Sequence, residues 1–432
     1  MTSKNPASRD GAGAQEPHDR GISISRRQLL AGSGLASAAL LAGGATSGVA
    51  AAATSGAPSP PADSSSTVPF HGAHQAGIVT PEQARMVFAT YDLTAPDLAA
   101  VAALLTVWTD AATRLTAGEP LAGEGGSFAP PVDTGEAVGL GPSRLTLTVG
   151  FGTGLFDGRF GLASLRPAAL AELPPFAGDQ LDAGTSGGDL CVQACADDHQ
   201  VAFHAIHNLS RLALGTATLR FVQSGFGRTA APGAGQPTPR NLLGFHDGTA
   251  NPDPSDDAAM RRIVWVDGGD QKWMVGGSYL VARRVRIHLE QWDRSTVEEQ
   301  ERTIGRMKVS GAPLGGTHED QPVDLNALTA DGGLVIPDSA HIRVASPATN
   351  GGQAILRRGY SFADGIDPVT GELDAGLFFV CFQKDPRAQF VPIQQRLSEN
   401  DALDQYLVHT TSGVFACPPG VRPGESVGAG LL

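Results

Sequence analysis

One short stretch of the sequence could present a carboxylate for acid/base chemistry. Residues 244–252 read Gly-Phe-His-Asp-Gly-Thr-Ala-Asn-Pro, with Asp247 between a histidine and a glycine. Gly248 can adopt a positive φ without steric cost, and Pro252 prevents a helix from continuing through the segment. The pattern therefore predicts a turn that carries Asp247. An Asp-Gly turn is also a common surface feature, so the pattern alone does not assign a role to the carboxylate.

A histidine and an arginine pair in the second half of the chain are further candidates for chemistry. His341 follows a Pro-Asp turn and begins the segment 341–344, which we predict to be a strand. Arg357 and Arg358 are adjacent in another predicted strand, 355–362. Such a histidine is more often structural than a ligand, and arginine pairs are commonly ion-paired at an edge. These residues need a further argument before they define a site.

Two other groupings resemble metal ligands. His204 and His207 lie three residues apart on a predicted helix, and Cys191 and Cys195 have C-x₃-C spacing. No carboxylate or third histidine is placed in the sequence to complete a site with the histidines, so we interpret them as structural. The cysteines lie on a predicted strand, where residues four apart share a face but are too far apart to bridge directly. We interpret them as small buried hydrophobic residues.

The composition limits the class of protein. A chain of 432 residues is too long for one small core and suggests two domains of ordinary size. Its composition, 41% hydrophobic and 17% charged, is typical of a soluble globular protein. A formal charge of −13, without a basic stripe in the sequence, argues against nucleic acid as a partner. The sequence also contains no Walker A loop, no H-E-x-x-H motif and no EF-hand loop.

The N-terminal residues are typical of an export signal. Arg26-Arg27 precede a weakly apolar, glycine-interrupted run that extends to about Ala53, and no charged residue occurs between Arg27 and Asp63. This pattern predicts a twin-arginine signal peptide over residues 1–55, with the twin-arginine translocase as a partner during export. A transmembrane anchor is the alternative, but the glycines would make it a poor span. Residues 56–67 are rich in Pro, Ser and Ala, which predicts a flexible leader.

The rest of the chain alternates between strand and helix patterns. Period-two or β-branched and aromatic runs predict strands, and apolar residues at helical spacing predict helices. In the first half these are strand 85–91, helix 97–115, strand 145–149, strand 189–195, a helix that Asp197-Asp198 cap and that ends near Leu214, and strand 217–222. In the second half they are strand 278–287, helix 295–308, strands 341–344 and 355–362, strand 377–382 and helix 387–397.

This repetition predicts the fold class. Strand-helix-strand-strand-helix-strand, occurring twice, is typical of an α+β protein made of two ferredoxin-like domains with antiparallel sheets. We place the N-terminal ferredoxin-like domain at residues 68–230 and the C-terminal one at residues 241–425. The segment 225–240, rich in Gly, Pro and Thr, is the predicted linker.

Several stretches of the chain resemble one family of haem proteins. Residues 244–248 fit the G-x-x-D-G signature of dye-decolorising (DyP-type) haem peroxidases, and the chain resembles their exported, twin-arginine class. Further blocks resemble that family in the same order along the chain: 241–252, 340–343, 355–362, 376–385 and the tail from Glu399 through Phe415. The resemblance extends from about residue 68 to the end. It implies a pair of ferredoxin-like domains, arranged like a dimeric α+β barrel, with haem b in the C-terminal half.

The resemblance also implies the charged residues of the haem site. His341 corresponds to the axial ligand of the haem iron, and Asp401 is the candidate partner of its other ring nitrogen, with Asp404 as the alternative. Asp247 and Arg357 correspond to the catalytic residues on the distal face, where the carboxylate would move the proton of peroxide and the arginine would stabilise developing negative charge. The position within its block favours Arg357 over Arg358.

Two apolar residues complete the implied site. Leu377 and Phe379 lie two apart on one face of a predicted strand and correspond to residues that line the distal pocket and contact the haem. Ordinary core residues would show the same pattern, so their role stays open from sequence.

The function implied by the resemblance is a haem b peroxidase. Hydrogen peroxide would produce an oxyferryl haem, which then oxidises dyes and phenolic or other aromatic donors in one-electron steps. One alternative is haem-iron handling, either as a deferrochelatase or through oxidation of ferrous iron for uptake. A second alternative is an exported haem-binding protein without enzymatic activity. The mature protein is expected in the cell envelope or periplasm or outside the cell, and the sequence leaves a homo-oligomer open.

Overall fold

The computed structural model of the protein describes residues 66–121, 128–227 and 238–432. The predicted signal peptide, the predicted leader up to residue 65 and the middle of the predicted linker lie outside the described residues. The structural account below therefore begins at residue 66.

The first half builds one antiparallel sheet with two helices on it. Its elements are β1 (Arg85–Leu93), α1 (Leu98–Thr116), β2 (Thr146–Gly152), β3 (Leu190–Ala196), α2 (His199–Leu212) and β4 (Ala217–Phe226). The strand order is β2-β3-β1-β4. Both helices begin at an aspartate whose side chain accepts from backbone amides of the first turn: Asp97 caps α1 and Asp198 caps α2.

The second half repeats this arrangement. Its elements are α3 (Asp257–Ile263), β5 (Ser278–Ile287), α4 (Leu289–Trp292), α5 (Val297–Ile304), α6 (His341–Val344), β6 (Leu356–Arg357), β7 (Tyr360–Ile366), β8 (Leu373–Gln383), α7 (Phe390–Asn400) and β9 (Leu407–Cys417). The strand order β9-β5-β8-β7 corresponds to the order of the first half, with β6 added against β8. The predicted α+β fold with two ferredoxin-like units is thus confirmed.

The two sheets join at both ends, so eight strands form a closed ring. Phe151 of β2 pairs with Ala416 of β9, and Phe226 of β4 pairs with Ser361 of β7. Within the second-half sheet, β8 approaches β5 closely: a Cβ on Gly376 of β8 would lie 2.0 Å from the carbonyl oxygen of Val285 on β5. This ring agrees with the expected dimeric α+β barrel arrangement.

Alternation along the strands of the second half separates two apolar environments. Leu280 and Ala282 of β5 and Phe378 and Val380 of β8 point into the barrel interior, with buried Cys191 and Cys195 from β3. All four cysteines of the chain are buried and free, which confirms their interpretation as small hydrophobic residues. The intervening residues of β5 and β8 face the opposite side, where a cavity lies.

Helix α1 belongs to the core of the first half. By length and composition it could cross a membrane, but its buried face, including Val101, Leu105 and Trp108, packs against the sheet and α2. The indole nitrogen of Trp108 donates to the carbonyl oxygen of Leu209 on α2 at 2.9 Å. This contact is typical of a buried helix in a water-soluble fold.

Two predicted strands of the second half are wrong in type or extent. Residues 341–344 form the one-turn helix α6, in which the amides of Val344 and Ala345 donate to the carbonyl oxygens of Ala340 and His341. A segment of four residues, here His-Ile-Arg-Val, is too short for its pattern to distinguish a strand from a helical turn. The predicted strand 355–362 is interrupted at Arg358-Gly359 and forms β6 and β7 instead.

No element was predicted for α3, α4 or β9, and the remaining differences concern element ends. Helix α5 is shorter than predicted because Thr296 and Glu299 form a capping box at its start and Gly305, with φ +92°, ends it in the left-handed conformation. Helix α7 begins and ends three residues later than predicted. Strand β4 includes Gly225 and Phe226, so the linker begins after Gly227 rather than at residue 225.

Candidate active site

A cavity of about 1240 Å³ lies on the outer face of the second-half sheet. Its floor comes from alternate residues of β5, β8 and β9, and its other walls come from α6, α7 and the loop that precedes α3. The lining includes Asp247, His341, Arg357, Leu377 and Phe379. The cavity therefore brings together the predicted catalytic pair, the predicted axial ligand and the two apolar residues proposed from sequence.

Asp247 lies on the predicted turn. Its amide donates to the carbonyl oxygen of Pro239 at 2.8 Å, and Gly248, with φ +120°, bends the chain immediately after it. The amide of Asn251 closes the turn by donating to the carbonyl oxygen of Gly248 at 2.8 Å. The backbone is therefore fixed on both sides of Asp247, and its carboxylate faces the cavity from a defined position.

Glu319 braces the same turn from outside. Its carboxylate contacts Nδ1 of His246 and accepts from Oγ1 of Thr249 at 2.8 Å. Burial would raise the pKa of Glu319, but hydrogen bonds from Thr238, Thr249 and His246 outweigh it and lower the pKa. An ionised Glu319 thus ties both flanks of Asp247 to the segment after α5. This contact was missed in the sequence because more than 70 residues separate its partners.

Arg357 is positioned by Asn251. Oδ1 of Asn251 accepts from the amide of Arg357 at 2.9 Å, and its Nδ2 donates to the carbonyl oxygen of Arg357 at 2.9 Å. A side-chain amide thus replaces one residue of a neighbouring strand, which explains why β6 is only two residues long. Nη1 of Arg357 then donates to Oδ1 of Asp247 at 2.9 Å. Asn251 is a positioning residue to which sequence reasoning gave no role.

Arg358 points away from this pair. Its guanidinium donates to the carbonyl oxygen of Thr80 and to Oε1 of Gln83, both from the first half, and the residue is 3% exposed. Adjacent residues of an extended chain point to opposite sides, so only one of the two arginines can face the cavity. The structure places Arg357 there.

His341 is held by Asp401. Nδ1 of His341 lies 2.6 Å from Oδ2 of Asp401, whose side chain is 4% exposed and whose backbone amide donates to the carbonyl oxygen of Leu397 at the end of α7. Because a carboxylate only accepts, Nδ1 of the neutral ring carries the proton and Nε2 offers its lone pair. Nε2 makes no hydrogen bond to any residue within the described ranges. Of the two candidate partners, Asp401 is the one in contact with the ring.

The electrostatics around His341 favour a basic imidazole. Burial alone would lower the pKa of His341, but the charge of Asp401 and its hydrogen bond raise the pKa above the ordinary value. The ring lies deep in the protein, yet 34% of its side-chain surface is exposed because it faces the cavity. Asp404, three residues after Asp401, has a pKa raised to about 6 by burial and by the neighbouring charges of Asp401 and Asp179.

The two histidines on α2 have carboxylate partners that the sequence did not reveal. Oε2 of Glu136 lies 2.7 Å from Nδ1 of His204, and Oε1 lies 2.5 Å from Nδ1 of His207. Asp133 lies 3.5 Å from the other nitrogen of His204. The expectation that no carboxylate lies nearby was wrong, because Glu136 reaches α2 from a distant loop. No group of residues within the described ranges has the geometry of a metal site, and both histidines contact the carboxylate of Glu136.

Comparisons with known proteins identify the family to which this fold and site belong. A family model described as Dyp-type peroxidase, C-terminal, matches residues 238–422. A second model, Dyp-type peroxidase, N-terminal, matches residues 75–227. The chain belongs to the Dyp-type peroxidase family. The two matches meet at the linker between the halves of this Dyp-type peroxidase.

Relatives and solved structures are similar over nearly the whole chain. The deferrochelatase of Yersinia pestis bv. Antiqua is 40% identical over 417 residues, 95% of this chain and 95% of the relative. Ferric DtpA from Streptomyces lividans is 45% identical, with a TM-score of 0.78 over 84% of this chain and 96% of DtpA. A DyP-type peroxidase from Cellulomonas bogoriensis is 41% identical, with a TM-score of 0.77 over 86% of this chain and 99% of that chain.

Dyp-type peroxidases are haem-dependent enzymes, and the cavity of this chain fits that cofactor. The neutral imidazole of His341, with Nδ1 bonded to a carboxylate, is a good axial ligand for iron. The walls supply apolar surface for a macrocycle: Val285, Ile287, Leu377, Phe379, Phe390 and Leu403. Both the donor set and the lining therefore fit haem, with the Asp247–Arg357 pair facing the same space.

The opposite orientations of Arg357 and Arg358 give a direct test. We expect Arg357→Leu to slow the reaction of the haem-loaded enzyme with peroxide by about 10²–10³-fold, because a fixed cationic donor is lost. Arg358→Leu should leave that rate within about threefold of the wild type but lower the free energy of unfolding by about 1–3 kcal/mol, because buried acceptors lose their partners. Stopped-flow absorption at the Soret band and urea unfolding measure the two effects. Equal loss of rate in both variants would contradict the assignment.

Proposed function

We propose that this Dyp-type peroxidase carries haem b and uses hydrogen peroxide to oxidise organic donors, such as dyes and phenols, in one-electron steps. The observation that carries the proposal is the convergence of two hydrogen-bonded pairs on one cavity. Asp247, Arg357 and His341 line it, and Asp401 contacts the ring of His341, although the four residues come from four separate segments of the chain. An acid/base carboxylate, a fixed cation and an iron ligand are the groups that heterolytic cleavage of peroxide requires.

The His341–Asp401 pair would hold the cofactor. Nε2 of His341 would bind the iron, while Asp401 fixes the tautomer and the ring orientation and increases the basicity of the ring. When bound, the haem supplies an iron centre that accepts oxidising equivalents from peroxide and passes them on one electron at a time. Asp401 is itself held, since its Oδ1 accepts from the amide of Leu403 at 2.8 Å. The ligand therefore has a rigid support.

The Asp247–Arg357 pair would handle the proton and the charge of peroxide. Oδ1 of Asp247 accepts from Arg357, whereas Oδ2 makes no hydrogen bond to a residue in the described ranges. Oδ2 is thus placed to take a proton from one oxygen of peroxide and to return it to the other as the O–O bond breaks. Arg357, which stays cationic, stabilises the negative charge that develops on the departing oxygen.

Leu377 and Phe379 would keep this region dry. Both lie in the cavity wall on β8, where they pair across from Val285 and Arg283 of β5. Apolar walls exclude water and lower the local dielectric, which strengthens the electrostatic effect of Arg357 on charge that develops nearby. Bulky donors would then be oxidised near the cavity mouth rather than at Asp247.

The second candidate function is release of iron from haem. Its support is that the relatives with 38–40% identity over most of the chain are named deferrochelatase. Both functions would use the same haem ligand, His341, but only peroxidase chemistry needs the Asp247–Arg357 pair to act on peroxide. A haem-binding protein without activity would not need that pair, so its assembly argues against the non-enzymatic alternative.

A direct comparison of products separates the two functions. We expect the haem-loaded enzyme to decolorise an anthraquinone dye only with peroxide, and Asp247→Asn to slow this reaction by about 10²-fold or more because the proton carrier is lost. Dye absorbance measures the activity, and porphyrin fluorescence with a ferrous-iron chelator measures iron release in the same samples. Metal-free protoporphyrin that accumulates without dye oxidation, equally in both proteins, would favour deferrochelatase and refute the peroxidase proposal.

We also propose that the chain is exported by the twin-arginine route and acts in the cell envelope or outside the cell. The support is Arg26-Arg27 ahead of a mildly apolar, glycine-containing run. Replacement of both residues by lysine should abolish export, because the translocase recognises the arginine pair. Cell fractionation with an antibody against the C-terminal half measures the distribution. Unchanged export of the double variant, or a full-length protein retained in the membrane, would contradict this proposal.

A further inference from the structure

A buried cation lies at the floor of the cavity without a full set of partners. Arg283 is on β5, on the same face as Val285, and is opposite Phe379 of β8. Arg283 is 1% exposed, and its guanidinium lies 5.0 Å from the centre of the Phe176 ring. One nitrogen, Nη2, donates to Asp179. Nε and Nη1 are buried and have no hydrogen-bond partner among the residues of the described ranges.

This arrangement is costly for the protein by itself. Burial lowers the pKa of Arg283, and the nearby charge of Asp179 offsets only part of this effect. One carboxylate therefore does not fully compensate the desolvation of the guanidinium. A buried guanidinium offers five N–H donors, and each buried donor left unpaired loses the hydrogen bond that it made to water in the unfolded chain. Structures rarely keep such donors unpaired unless another group occupies the site. The missing partner is an acceptor, and a negatively charged one fits best.

The charge states of the groups around Arg283 are compatible with a bound anion. His409, 3.8 Å from Asp179, has its pKa lowered to about 3 by burial and by Arg283, so it remains neutral and adds no competing charge. Asp404 also lines the cavity, and its raised pKa makes it a carboxyl group that can be protonated and donate a hydrogen bond. Asp179 accepts from only one of the three nitrogens of Arg283.

We propose that Arg283 receives one of the two propionate carboxylates of the haem, through the donors that Asp179 leaves free. The carboxylate completes the partners of a buried arginine, and the arginine neutralises a carboxylate that the apolar cavity would otherwise disfavour. Arg283 is thus a cofactor-binding residue, and Asp179, from the first half of the chain, is its positioning residue. This inference rests on the proposed haem site at His341.

Porphyrin esters test the contact without reference to activity. The apoprotein is titrated with iron protoporphyrin IX and with its dimethyl ester, which has the same macrocycle but no carboxylates. A hydrogen bond to a charged group contributes about 1.5–3 kcal/mol, so the wild type should bind the diacid roughly 10–100-fold more tightly than the ester. The readout is the dissociation constant from the Soret titration.

Variants then assign the preference to Arg283. Arg283→Leu combined with Asp179→Leu removes both members of the buried pair, so neither is left as an isolated charge. We expect this double variant to lose most of the preference for the diacid. Arg284→Leu is the matched control, because Arg284 is the next residue of β5, points to the other face and pairs with Asp364 and Asp374. It should keep the wild-type ratio.

Asp179→Asn covers the case in which the double variant does not fold. It is nearly isosteric and frees Nη2 while removing a competing negative charge, so the preference for the diacid should increase by about threefold or more. A wild-type ratio in the folded double variant, or an unchanged or smaller ratio in Asp179→Asn, would overturn the assignment. If wild-type apoprotein binds neither porphyrin, the proposed haem site itself fails. Tight binding of both porphyrins without discrimination would refute only the role of Arg283.

Discussion

The site depends on the two backbone hydrogen bonds that Asn251 makes to Arg357. These bonds take the place of pairing with a neighbouring strand and fix the backbone of Arg357. The turn that contains Asn251 also carries Asp247, four residues before it. The acid and the cation are therefore positioned by one short segment rather than by two independent elements. Glu319 fixes this segment from the outside through His246 and Thr249. Such support is what a catalytic pair needs to hold its geometry before substrate arrives.

In the sheet of the second half, successive residues of a strand face alternately the barrel core and the cavity. Residues such as Phe378 and Val380 fill the barrel interior, whereas Leu377 and Phe379 between them face the cavity. A shift of β8 by one residue would exchange these sets and place the barrel core in the cavity. The close approach at Gly376, where a side chain would collide with β5, helps to exclude that shift. The same register places Arg283 beside Phe379 at the cavity floor.

Local signals in the sequence predicted local structure well. The turn at Asp247-Gly248, the cap at Asp198 and the repeated strand-helix rhythm depend on neighbouring residues, and the structure contains each of them. The type of the segment 341–344 was wrong, since four residues are too few for their pattern to distinguish a strand from a turn of helix. The family resemblance supplied the pairing of His341 with Asp401, which no periodicity indicates, and the structure shows that contact.

The contacts that sequence reasoning missed join residues far apart in the chain. Glu136 reaches His204 and His207, Asn251 reaches Arg357, and Asp179 reaches Arg283, each across about 70 residues or more. A single sequence contains no signal for such pairs, because each residue is compatible with many solvent-exposed alternatives. The roles of Asn251 and Arg283 depend on hydrogen-bonding groups of the backbone or the cavity that would otherwise have no partner. These groups can be identified only in the folded chain.

The most direct test of the account is the absorption spectrum of the purified mature protein before and after one equivalent of hydrogen peroxide. Two hydrogen-bonded pairs that converge on a haem cavity predict a ferric Soret band at rest and a fast change of that band when peroxide is added. A Soret band that does not respond to peroxide would contradict the role of Asp247 and Arg357. A protein produced with ample haem that shows no Soret band would contradict the haem site at His341.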